Sequence, residues 1–397
     1  MPDNVDPLAL PPAPPPAPAV HPLRDTALAL LFVAAISLAG LGALKTPDQP
    51  VLEFENRAVT PWPRFAANEE FTKTFERAFG DRFGARNALL RAHHLALVYG
   101  FGASPAFNVL LGCDAWLYFL GEDGQSLDRH YRGTREVSDA EIAAVVAELE
   151  RRQRFLASLQ IAYVATIVPD KYTIYPEHLP HWVTRSDRPT PLERLTSALT
   201  RDGAIRFVDL RAALASAKAR ERVYYTSDSH WNMLGAAVAY DAIMREIRTA
   251  LPNGRLPAVA PPALPPYVPG VDVYSGDLAR NIGLPPRYRE DDLAPIVKVF
   301  MAPPSARCGK RIDGGIDEGV EIYACDRAGL PRAVMYRDSM AIPLIPLLSE
   351  NFSRIVYVSG RRLDPALIAR EKPDVVIEQM VERAMLSPAA FPMAQVR

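Results

Sequence analysis

The fold is decided by the stretch Ile161-Ala162-Tyr163-Val164-Ala165-Thr166-Ile167-Val168, which is followed directly by Pro169-Asp170-Lys171. Its apolar and β-branched residues run almost without a break, which is typical of a buried strand. Upstream, Ser138-Asp139-Ala140-Glu141 is a capping box, in which the serine and the glutamate satisfy backbone N–H groups at a helix start. A helix over 139–159 is therefore predicted to lead into the strand, and this unit is typical of an α/β fold.

The same alternation of helices and strands continues along the chain. The stretch 252–329 interrupts it with many prolines and glycines and is predicted to be an irregular insertion or lid. Strands that alternate with helices imply right-handed crossovers and a mostly parallel sheet covered by helices on both faces. Further strands are predicted over 205–210, 223–225, 333–336, 354–358 and 374–377, and further helices over 69–79, 85–99, 211–220, 231–250, 341–352 and 365–370.

Polar clusters follow several of these strands. They are Pro169-Asp170-Lys171, Asp228-Ser229-His230, Arg337-Asp338-Ser339, and Glu378 with Glu382-Arg383. The carboxyl ends of parallel strands meet at one edge of the sheet, where open α/β sheets bind their ligands. We therefore expect these clusters to lie together and to form the functional site.

Asp228, His230 and Ser339 supply the three parts of a nucleophilic triad. A serine hydroxyl attacks an acyl carbon well only if a histidine takes its proton, and the imidazole needs a carboxylate to hold its tautomer and orientation. Each residue also has a structural interpretation, since Asp228 and Ser339 can cap helices and His230 can lie partly exposed in a first helical turn. The presence of all three at one sheet edge favours the catalytic interpretation.

Further residues are predicted to serve this triad. A tetrahedral oxyanion needs preorganised donors, and the backbone N–H of Ser339 at a helix start is the first candidate. Other side chains are predicted to line an acceptor groove, with surface salt bridges or turn contacts as the alternative. The predicted side chains are Asn232 or Arg337 for the second oxyanion donor, and Lys171, Tyr172 and Arg383 for the groove.

The N-terminal region differs from the rest of the chain. Residues 1–25 include Pro11-Pro12-Ala13-Pro14-Pro15-Pro16 and are predicted to be a solvated, semi-extended tail. Residues 26–45 include an uncharged, almost wholly apolar run over 27–44, which is long enough to span a bilayer. This run is predicted to be one uncleaved transmembrane helix, with a cleaved signal peptide and a buried core helix as alternatives. Residues 46–397 are predicted to form one catalytic domain.

Composition limits the possible functions. The chain has 397 residues, of which 49% are hydrophobic, and a formal net charge of −1, so no nucleic-acid partner is expected. His93-His94 lies on a predicted helix without spaced carboxylates, and no metal or cofactor is expected. Cys308 and Cys325 are spaced for a loop-closing disulfide, which would imply an oxidising compartment, with two free thiols as the alternative. Cys113 is predicted to be a small core residue.

An ordered series of short motifs runs through residues 50–397. The motifs are Glu55-Asn56-Arg57, Asp81-Arg82-Phe83 with Arg86, Val168-Pro169-Asp170-Lys171 with Ile174-Tyr175-Pro176-Glu177, Asp228-Ser229-His230-Trp231-Asn232 with Gly235, Arg337-Asp338-Ser339, and Lys372-Pro373-Asp374-Val375-Val376 with Glu382-Arg383. In this order they resemble the SGNH-hydrolase-like alginate O-acetyltransferases of the AlgX/AlgJ type, including the AlgX-related proteins. The placement of His230 before Ser339 matches the circularly permuted motif order of that family.

The resemblance implies a membrane-associated or periplasmic enzyme that moves acetyl groups onto an exopolysaccharide. It implies Ser339 as nucleophile, His230 as base and Asp228 as the residue that orients the base. An integral-membrane acyltransferase is implied as the acetyl donor. Together with the predicted transmembrane helix, the resemblance predicts a single-pass anchor in the inner membrane with the catalytic domain in the periplasm. Arg337 stands where the ordinary SGNH motif has glycine, which leaves the oxyanion hole open.

The predicted reaction is a ping-pong transfer, in which Ser339 accepts an acyl group and a sugar hydroxyl then takes it. A carbohydrate O-acetylesterase would use the same triad with water as the acceptor. A non-catalytic polysaccharide-binding or assembly protein is the third alternative. The residues do not separate transferase from esterase, because the chemistry is identical until the second nucleophile arrives.

Overall fold

The computed structural model describes most of the chain, which divides into two compact units, residues 1–90 and 91–397. The predicted tail up to residue 21 and most of the predicted insertion lie outside the described residues, as do Glu55 and Asn56. Described are residues 22–45, 57–84, 86–134, 136–201, 205–251, 274–284, 308–312 and 319–386, together with residues 52, 203, 256, 289 and 290.

The first unit contains the helices α1 (Pro22–Lys45) and α2 (Glu69–Asp81), and α3 (Arg86–Leu95) begins just before its boundary. Asp81, part of one of the family motifs, accepts hydrogen bonds from both terminal nitrogens of Arg57, at 3.0 and 2.7 Å. It also accepts one from the backbone N–H of Thr60, at 2.9 Å. Hydrogen bonds between Arg57 and Asp81 therefore join two of the sequence motifs within the first unit.

The predicted membrane anchor is the part of the fold prediction that lacks support. A helix does form over 26–45, because α1 covers these positions. Over the residues that the structure describes, however, no helix combines the length and the apolar character needed to cross a membrane. The transmembrane assignment is therefore not supported by the structure.

The second unit is built on a mixed sheet that has seven strands among the described residues. Among the described residues, two short antiparallel pairs of strands accompany it, β1 (Val109–Leu111) with β2 (Leu117–Phe119), and β5 (Tyr274–Ser275) with β6 (Arg289–Glu290). Across the main sheet the order is β4 (Arg206–Asp209), β3 (Ala162–Val168), β11 (Val375–Val381), β9 (Arg332–Arg337), β10 (Arg354–Ser359), β8 (Val320–Ala324) and β7 (Lys310–Ile312).

The strands from β4 to β10 in this order are parallel, whereas β8 and β7 are antiparallel to their neighbours. The α/β prediction is confirmed. The two antiparallel strands come from the end of the stretch over 252–329 that was predicted to be irregular, so the sheet is larger and more mixed than expected.

Helices cover both faces of this sheet. The described helices that follow α3 are α4 (Asp139–Ser158), α5 (Lys171–Ile174), α6 (Pro191–Arg201), α7 (Arg211–Lys218), α8 (Met233–Ala250), α9 (Asp277–Asn281), α10 (Ile345–Leu348) and α11 (Pro365–Glu371). One layer contains α7, α8 and α10, and the other contains α4, α6 and α11. Short turns of 3-10 or π helix connect several elements, and one of them, Ser339–Leu344, follows β9.

The packing of β3 explains why residues 161–168 form one apolar run in the sequence. Val164 and Val168 pack into the layer that contains α8, while Tyr163, Ala165 and Ile167 pack into the layer that contains α4. Successive side chains of a strand point to opposite faces, and here both faces are covered. Every position of β3 after Ala162 is therefore buried, and the period of two that marks a half-exposed strand is absent from the sequence.

Two strand predictions differ from the structure. Residues 223–225 are not part of the sheet, and Tyr224 makes only an isolated antiparallel bridge with Trp231. The strand predicted to end at residue 377 continues as β11 to Val381, so Glu378 lies inside a strand and is fully buried. The cluster around Asp228 thus reaches the sheet edge on a loop, and Glu378 does not reach that edge at all.

A buried ion pair explains how Glu378 is tolerated in the core. Nη1 of Arg152, on α4, donates to both carboxylate oxygens of Glu378 at 2.8 Å, and the hydroxyl of Tyr163 donates to the same carboxylate at 2.5 Å. The side chains of Arg152 and Glu378 are both 0% exposed. A charge in such a place is stable only if it is paired and hydrogen-bonded, so this network ties α4 to the middle of the sheet.

We predict that Arg152→Ala lowers the free energy of unfolding by about 3–5 kcal/mol, because it leaves the Glu378 carboxylate buried without its ion-pair partner. The neighbouring Arg151, whose side chain is 45% exposed and pairs with Glu148, is the matched control, and Arg151→Ala should cost less than about 1 kcal/mol. Urea denaturation followed by circular dichroism measures both. Equal, small losses in the two variants would contradict a stabilising role for the buried network.

The cysteines are now assigned. Cys308 and Cys325 form a disulfide with a Cα–Cα distance of 4.8 Å, next to β7 and β8. The backbone N–H of Cys308 also donates to Glu350 at 3.1 Å. Cys113 is a free, exposed thiol, so its prediction as a core residue was wrong.

Candidate active site

Ser339 lies at the first position of the 3-10 helix that follows β9, and Asp338 fixes this turn. One oxygen of Asp338 accepts hydrogen bonds from the backbone N–H of Met340 at 3.0 Å and from the side-chain amide of Gln379 at 2.9 Å. Its other oxygen accepts the backbone N–H of Val381 at 2.7 Å. The carboxylate therefore anchors the serine turn to the end of β11, a role that the sequence motif Arg337-Asp338-Ser339 did not indicate.

The loop that carries Asp228 and His230 is held by a buried lysine. Nζ of Lys171 donates to the backbone carbonyls of Tyr225 at 3.0 Å, Thr226 at 3.0 Å and Asp228 at 2.6 Å. Three carbonyl acceptors match the three N–H donors of an ammonium group. Lys171 comes three residues after the end of β3, so the end of this strand positions the loop.

The far end of the same loop is fixed to the serine turn. Trp231 is fully buried, and its indole N–H donates to the backbone carbonyl of Met340 at 2.8 Å. Asn232 then caps α8, because its side-chain oxygen accepts the backbone N–H of Gly235 at 3.0 Å. The residue that bonds to the indole is thus the immediate neighbour of Ser339.

These contacts bring Asp228, His230 and Ser339 into one hydrogen-bonded chain. Nε2 of His230 lies 2.9 Å from Oγ of Ser339, and Nδ1 lies 2.6 Å from Oδ1 of Asp228. With the proton on Nδ1 shared with the carboxylate, Nε2 is left to accept the serine proton. Asp228 is 1% exposed, whereas 24% of the His230 side chain is exposed, so these three hydrogen-bonded residues are open to solvent on the side of His230 and Ser339.

Burial and neighbouring charges change the pKa of His230. Burial lowers the pKa of His230, but the hydrogen bond and the negative charge of Asp228 outweigh burial, and the pKa of His230 is raised above its usual value. A base must be neutral to take a proton, so a base function would be lost as the pH falls through this raised pKa.

A second carboxylate, which sequence reasoning missed, reaches the same histidine. Asp277 is the first residue of α9, and its Oδ2 lies 3.5 Å from Nδ1 of His230. It accepts hydrogen bonds from the hydroxyl of Ser229 at 2.6 Å and from the backbone N–H of Ser229 at 2.7 Å. The residue lies in the stretch predicted to be irregular, and the adjacent Gly276 was the one local sign of a close backbone approach.

The two side chains predicted as second oxyanion donors have other partners. The amide of Asn232 donates to the carbonyl of Arg222 at 2.6 Å while its oxygen caps α8. Arg337 donates to Glu321, on β8, at 3.0 Å, and only 8% of its side chain is exposed. Neither forms a hydrogen bond to the Asp228–His230–Ser339 chain, so both predictions receive a structural explanation instead.

The three residues predicted to line the groove also form their polar contacts with other residues of the protein. Lys171 is buried beneath the loop, and Tyr172 is 1% exposed and donates to Asp170 at 3.0 Å. Arg383 pairs with Asp170 through both its guanidinium and its backbone N–H, and its guanidinium carbon lies 5.0 Å from the ring centre of Phe119. These contacts make all three structural supports of the site, because their polar groups bind other residues of the chain.

Among the described residues, the ligand atoms of Asp228, His230 and Asp277 lie within 4.8 Å of one another, close enough to surround a metal ion. These atoms already have hydrogen-bond partners in the protein, since Nδ1 of His230 bonds to Asp228 and Asp277 accepts the hydroxyl of Ser229. The donor set therefore fits a hydrogen-bonded triad with a second carboxylate, and no metal is needed to explain its geometry.

Comparison with known proteins gives similarities to one family. The family model described as an SGNH hydrolase-like domain of the acetyltransferase AlgX matches residues 109–300. A relative from Azotobacter vinelandii named probable alginate O-acetylase AlgJ is 26% identical over 266 residues, which cover 66% of this chain and 60% of the relative. These similarities support the resemblance to the AlgX/AlgJ family of SGNH hydrolase-like proteins.

Further similarities agree with this resemblance. A protein from Pseudomonas putida with the same name, probable alginate O-acetylase AlgJ, is 28% identical over 186 residues, which cover 46% of this chain and 43% of the relative. This chain thus matches about half the length of these curated AlgJ relatives. The solved structure of Bacillus cereus PatB1 with a sulfonyl adduct covers 72% of this chain and 98% of its own, with 14% identity and a TM-score of 0.52, which supports the fold.

We predict that Lys171→Met lowers the free energy of unfolding by about 2–4 kcal/mol, because the variant leaves buried carbonyls of the loop without their donor. Lys218→Met is the matched control. Lys218 donates to the carbonyl of Ile174 and to Glu177, but its side chain is 25% exposed, so the loss should be about 1 kcal/mol or less. Urea denaturation of the two variants measures the difference, and losses of similar size would contradict the anchoring role of Lys171.

Proposed function

We propose that the chain is an O-acetyltransferase that moves acetyl groups onto hydroxyls of an exopolysaccharide through an acyl-enzyme on Ser339. The observation that carries the proposal is the hydrogen-bonded chain from Ser339 through His230 to Asp228, open to solvent at the sheet edge. The match to the AlgX family model and the names of the AlgJ relatives support the same activity.

In the first half of the reaction, Oγ of Ser339 attacks the acyl carbon as its proton moves to Nε2 of His230. The tetrahedral intermediate collapses when the imidazolium returns this proton to the leaving group, and the bond between the acyl carbon and the donor breaks. Asp228 stays ionised and stabilises the imidazolium that forms between the two steps. The product is an ester of Ser339.

In the second half, a sugar hydroxyl gives its proton to Nε2 of His230 and attacks the acyl-enzyme. The second tetrahedral intermediate releases Oγ of Ser339, which regains its proton from the imidazolium. For the oxyanion of both intermediates we propose the backbone N–H of Ser339 as the first donor. The N–H of Met340 is already bonded to Asp338, so the second donor has to come from elsewhere.

The acceptor and the donor follow from the family. We propose an exopolysaccharide as the acceptor and an integral-membrane acyltransferase as the source of the acetyl group, with the catalytic unit in the periplasm. The disulfide between Cys308 and Cys325 supports an oxidising compartment of this kind. The alternative of a carbohydrate O-acetylesterase differs only in using water as the second nucleophile.

We predict that brief exposure to an activated aryl acetate adds one acetyl group to Ser339 of the wild-type protein, as seen by intact-protein and peptide mass spectrometry. Ser339→Ala should remain unmodified, because it lacks the nucleophile. Ser158→Ala, which removes an exposed hydroxyl at the end of α4, is the matched control and should react like the wild type.

Loss of the other triad members should slow the same acetylation. Asp228→Asn and His230→Ala should each reduce its rate by a factor on the order of a thousand or more, and the double variant should be no worse than the slower single variant. Full acetylation of folded Ser339→Ala at the wild-type rate would remove Ser339 from the mechanism.

We also predict that an unacetylated oligosaccharide, added together with the aryl acetate, becomes acetylated and accelerates the loss of acetyl from Ser339. A transferase transfers the group to a sugar hydroxyl faster than to water. Mass spectrometry of the sugar and release of acetate measure the two outcomes. Free acetate alone, at a rate that the sugar does not change, would favour the esterase, and sugar binding without either product would favour a binding protein.

A further inference from the structure

Asp277 reaches the histidine from a segment that lies outside the strand and helix alternation of the fold. We propose that Asp277 is a positioning residue for the His230 base, and that it acts through both Ser229 and Asp228. The inference rests on the proposed function, since it concerns the step in which His230 takes a proton from Ser339. The inference is based on the hydrogen bonds that the carboxylate of Asp277 accepts and the one that its backbone N–H donates.

The side chain of Asp277 controls Ser229. The hydroxyl of Ser229 donates its proton to Oδ2 of Asp277 at 2.6 Å, and the same Oγ lies 3.2 Å from Nδ1 of His230. A hydroxyl has one proton, so once it is given to Asp277 only lone pairs of Oγ are left to face the imidazole. This arrangement favours the tautomer with its proton on Nδ1, which leaves Nε2 free to accept the proton of Ser339.

The backbone of Asp277 controls Asp228. Its N–H donates to Oδ2 of Asp228 at 2.8 Å. The other oxygen, Oδ1, accepts the backbone N–H of His230 at 2.9 Å and faces Nδ1 at 2.6 Å. Both oxygens of Asp228 are therefore occupied, so the carboxylate cannot rotate without breaking a hydrogen bond to α9 or to His230.

Gly276 permits this close approach. A Cβ atom at position 276 would lie 2.1 Å from the carbonyl oxygen of Ser227 and 2.5 Å from the backbone nitrogen of Asp228. The start of α9 is also bonded to the loop, since Gly276 donates to the Ser227 hydroxyl at 3.2 Å and Ala279 donates to the Ser227 carbonyl at 3.1 Å. Only glycine allows the two backbones to pack at this distance.

The charged groups that act on the imidazole come from three segments, namely Asp228 on its own loop, Asp277 on α9 and Arg383 after β11. Burial lowers the pKa of His230, and Arg383 lowers it further, whereas Asp228 and Asp277 raise it. Burial and the charge of Asp228 in turn raise the pKa of Asp277. Removal of the charge at position 277 therefore shifts the pKa of His230 downwards.

The test is Asp277→Asn in the full chain, with the pKa of His230 measured by NMR titration of protein labelled with 15N-histidine. Asparagine keeps the backbone N–H and an acceptor for Ser229 but removes the charge. The spectrum of His230→Gln identifies the signal. We expect a lower pKa of His230 in Asp277→Asn than in the wild type, and an acid limb of kcat/KM for the aryl acetate that moves to lower pH. kcat should fall roughly tenfold with KM unchanged.

Two further variants separate positioning from a general structural role. Ser229→Ala removes the link between Asp277 and the imidazole, and it should lower kcat while the combination with Asp277→Asn is less than additive. Gly276→Ala should slow acetylation by displacing the loop, whereas Gly100→Ala, where an added Cβ meets nothing within 4 Å, should not. Asp241→Asn, an exposed carboxylate on α8 paired with Arg245, should leave both the pKa of His230 and kcat unchanged.

Several results would overturn the inference. An unchanged pKa of His230 in folded Asp277→Asn would do so, as would a wild-type kcat in Ser229→Ala. If Asp277→Asn fails to fold, Ser229→Ala still decides the question, because its expected loss of kcat does not depend on the charge. The NMR titration needs no turnover, so a wild-type protein that forms no acyl-enzyme would refute the proposed function while the measurement on Asp277 still stands on its own.

Discussion

The hydrogen bond of 2.9 Å between Nε2 of His230 and Oγ of Ser339 joins two residues that are 109 positions apart in the sequence. It exists because two segments of different kinds end at one edge of the sheet. Ser339 arrives on the turn that follows a central parallel strand, β9, and His230 arrives on a loop that belongs to no strand. The other contacts described at the site fix one of these two segments or change the pKa of His230.

Charged side chains with little exposure do this holding, rather than apolar packing alone. Lys171, which is buried, fixes the histidine loop through three backbone carbonyls, and Asp338, whose side chain is 19% exposed, fixes the serine turn through two backbone N–H groups and Gln379. A charge that is largely removed from solvent is stable only when its partners are in place, so each of these residues specifies one arrangement of its segment. Preorganisation of this kind is what a reaction with a developing oxyanion requires, because little has to move when charge appears.

The sequence predicts well the features that depend on local pattern, and less well those that depend on distant partners. The buried run that became β3 is evident because apolar residues on both faces leave an unbroken stretch. Glu378 interrupts such a run and predicts a strand end, since nothing near it in sequence reveals that Arg152 neutralises it. Residues 223–225, which precede the Asp228 cluster, are predicted as a strand but lie outside the sheet. Lys171 and Asp277 bind groups far away along the chain, which no local pattern shows.

The central claim is that Ser339 is the group that attacks and that His230 is the base beside it. The most direct measurement is a crystal structure of the protein after reaction with a serine-directed sulfonyl fluoride. The account predicts a covalent bond to Oγ of Ser339, with Nε2 of His230 within hydrogen-bonding distance and Nδ1 still bonded to Asp228. A label on another residue, or an unmodified Ser339 whose hydroxyl points away from the imidazole, would contradict it.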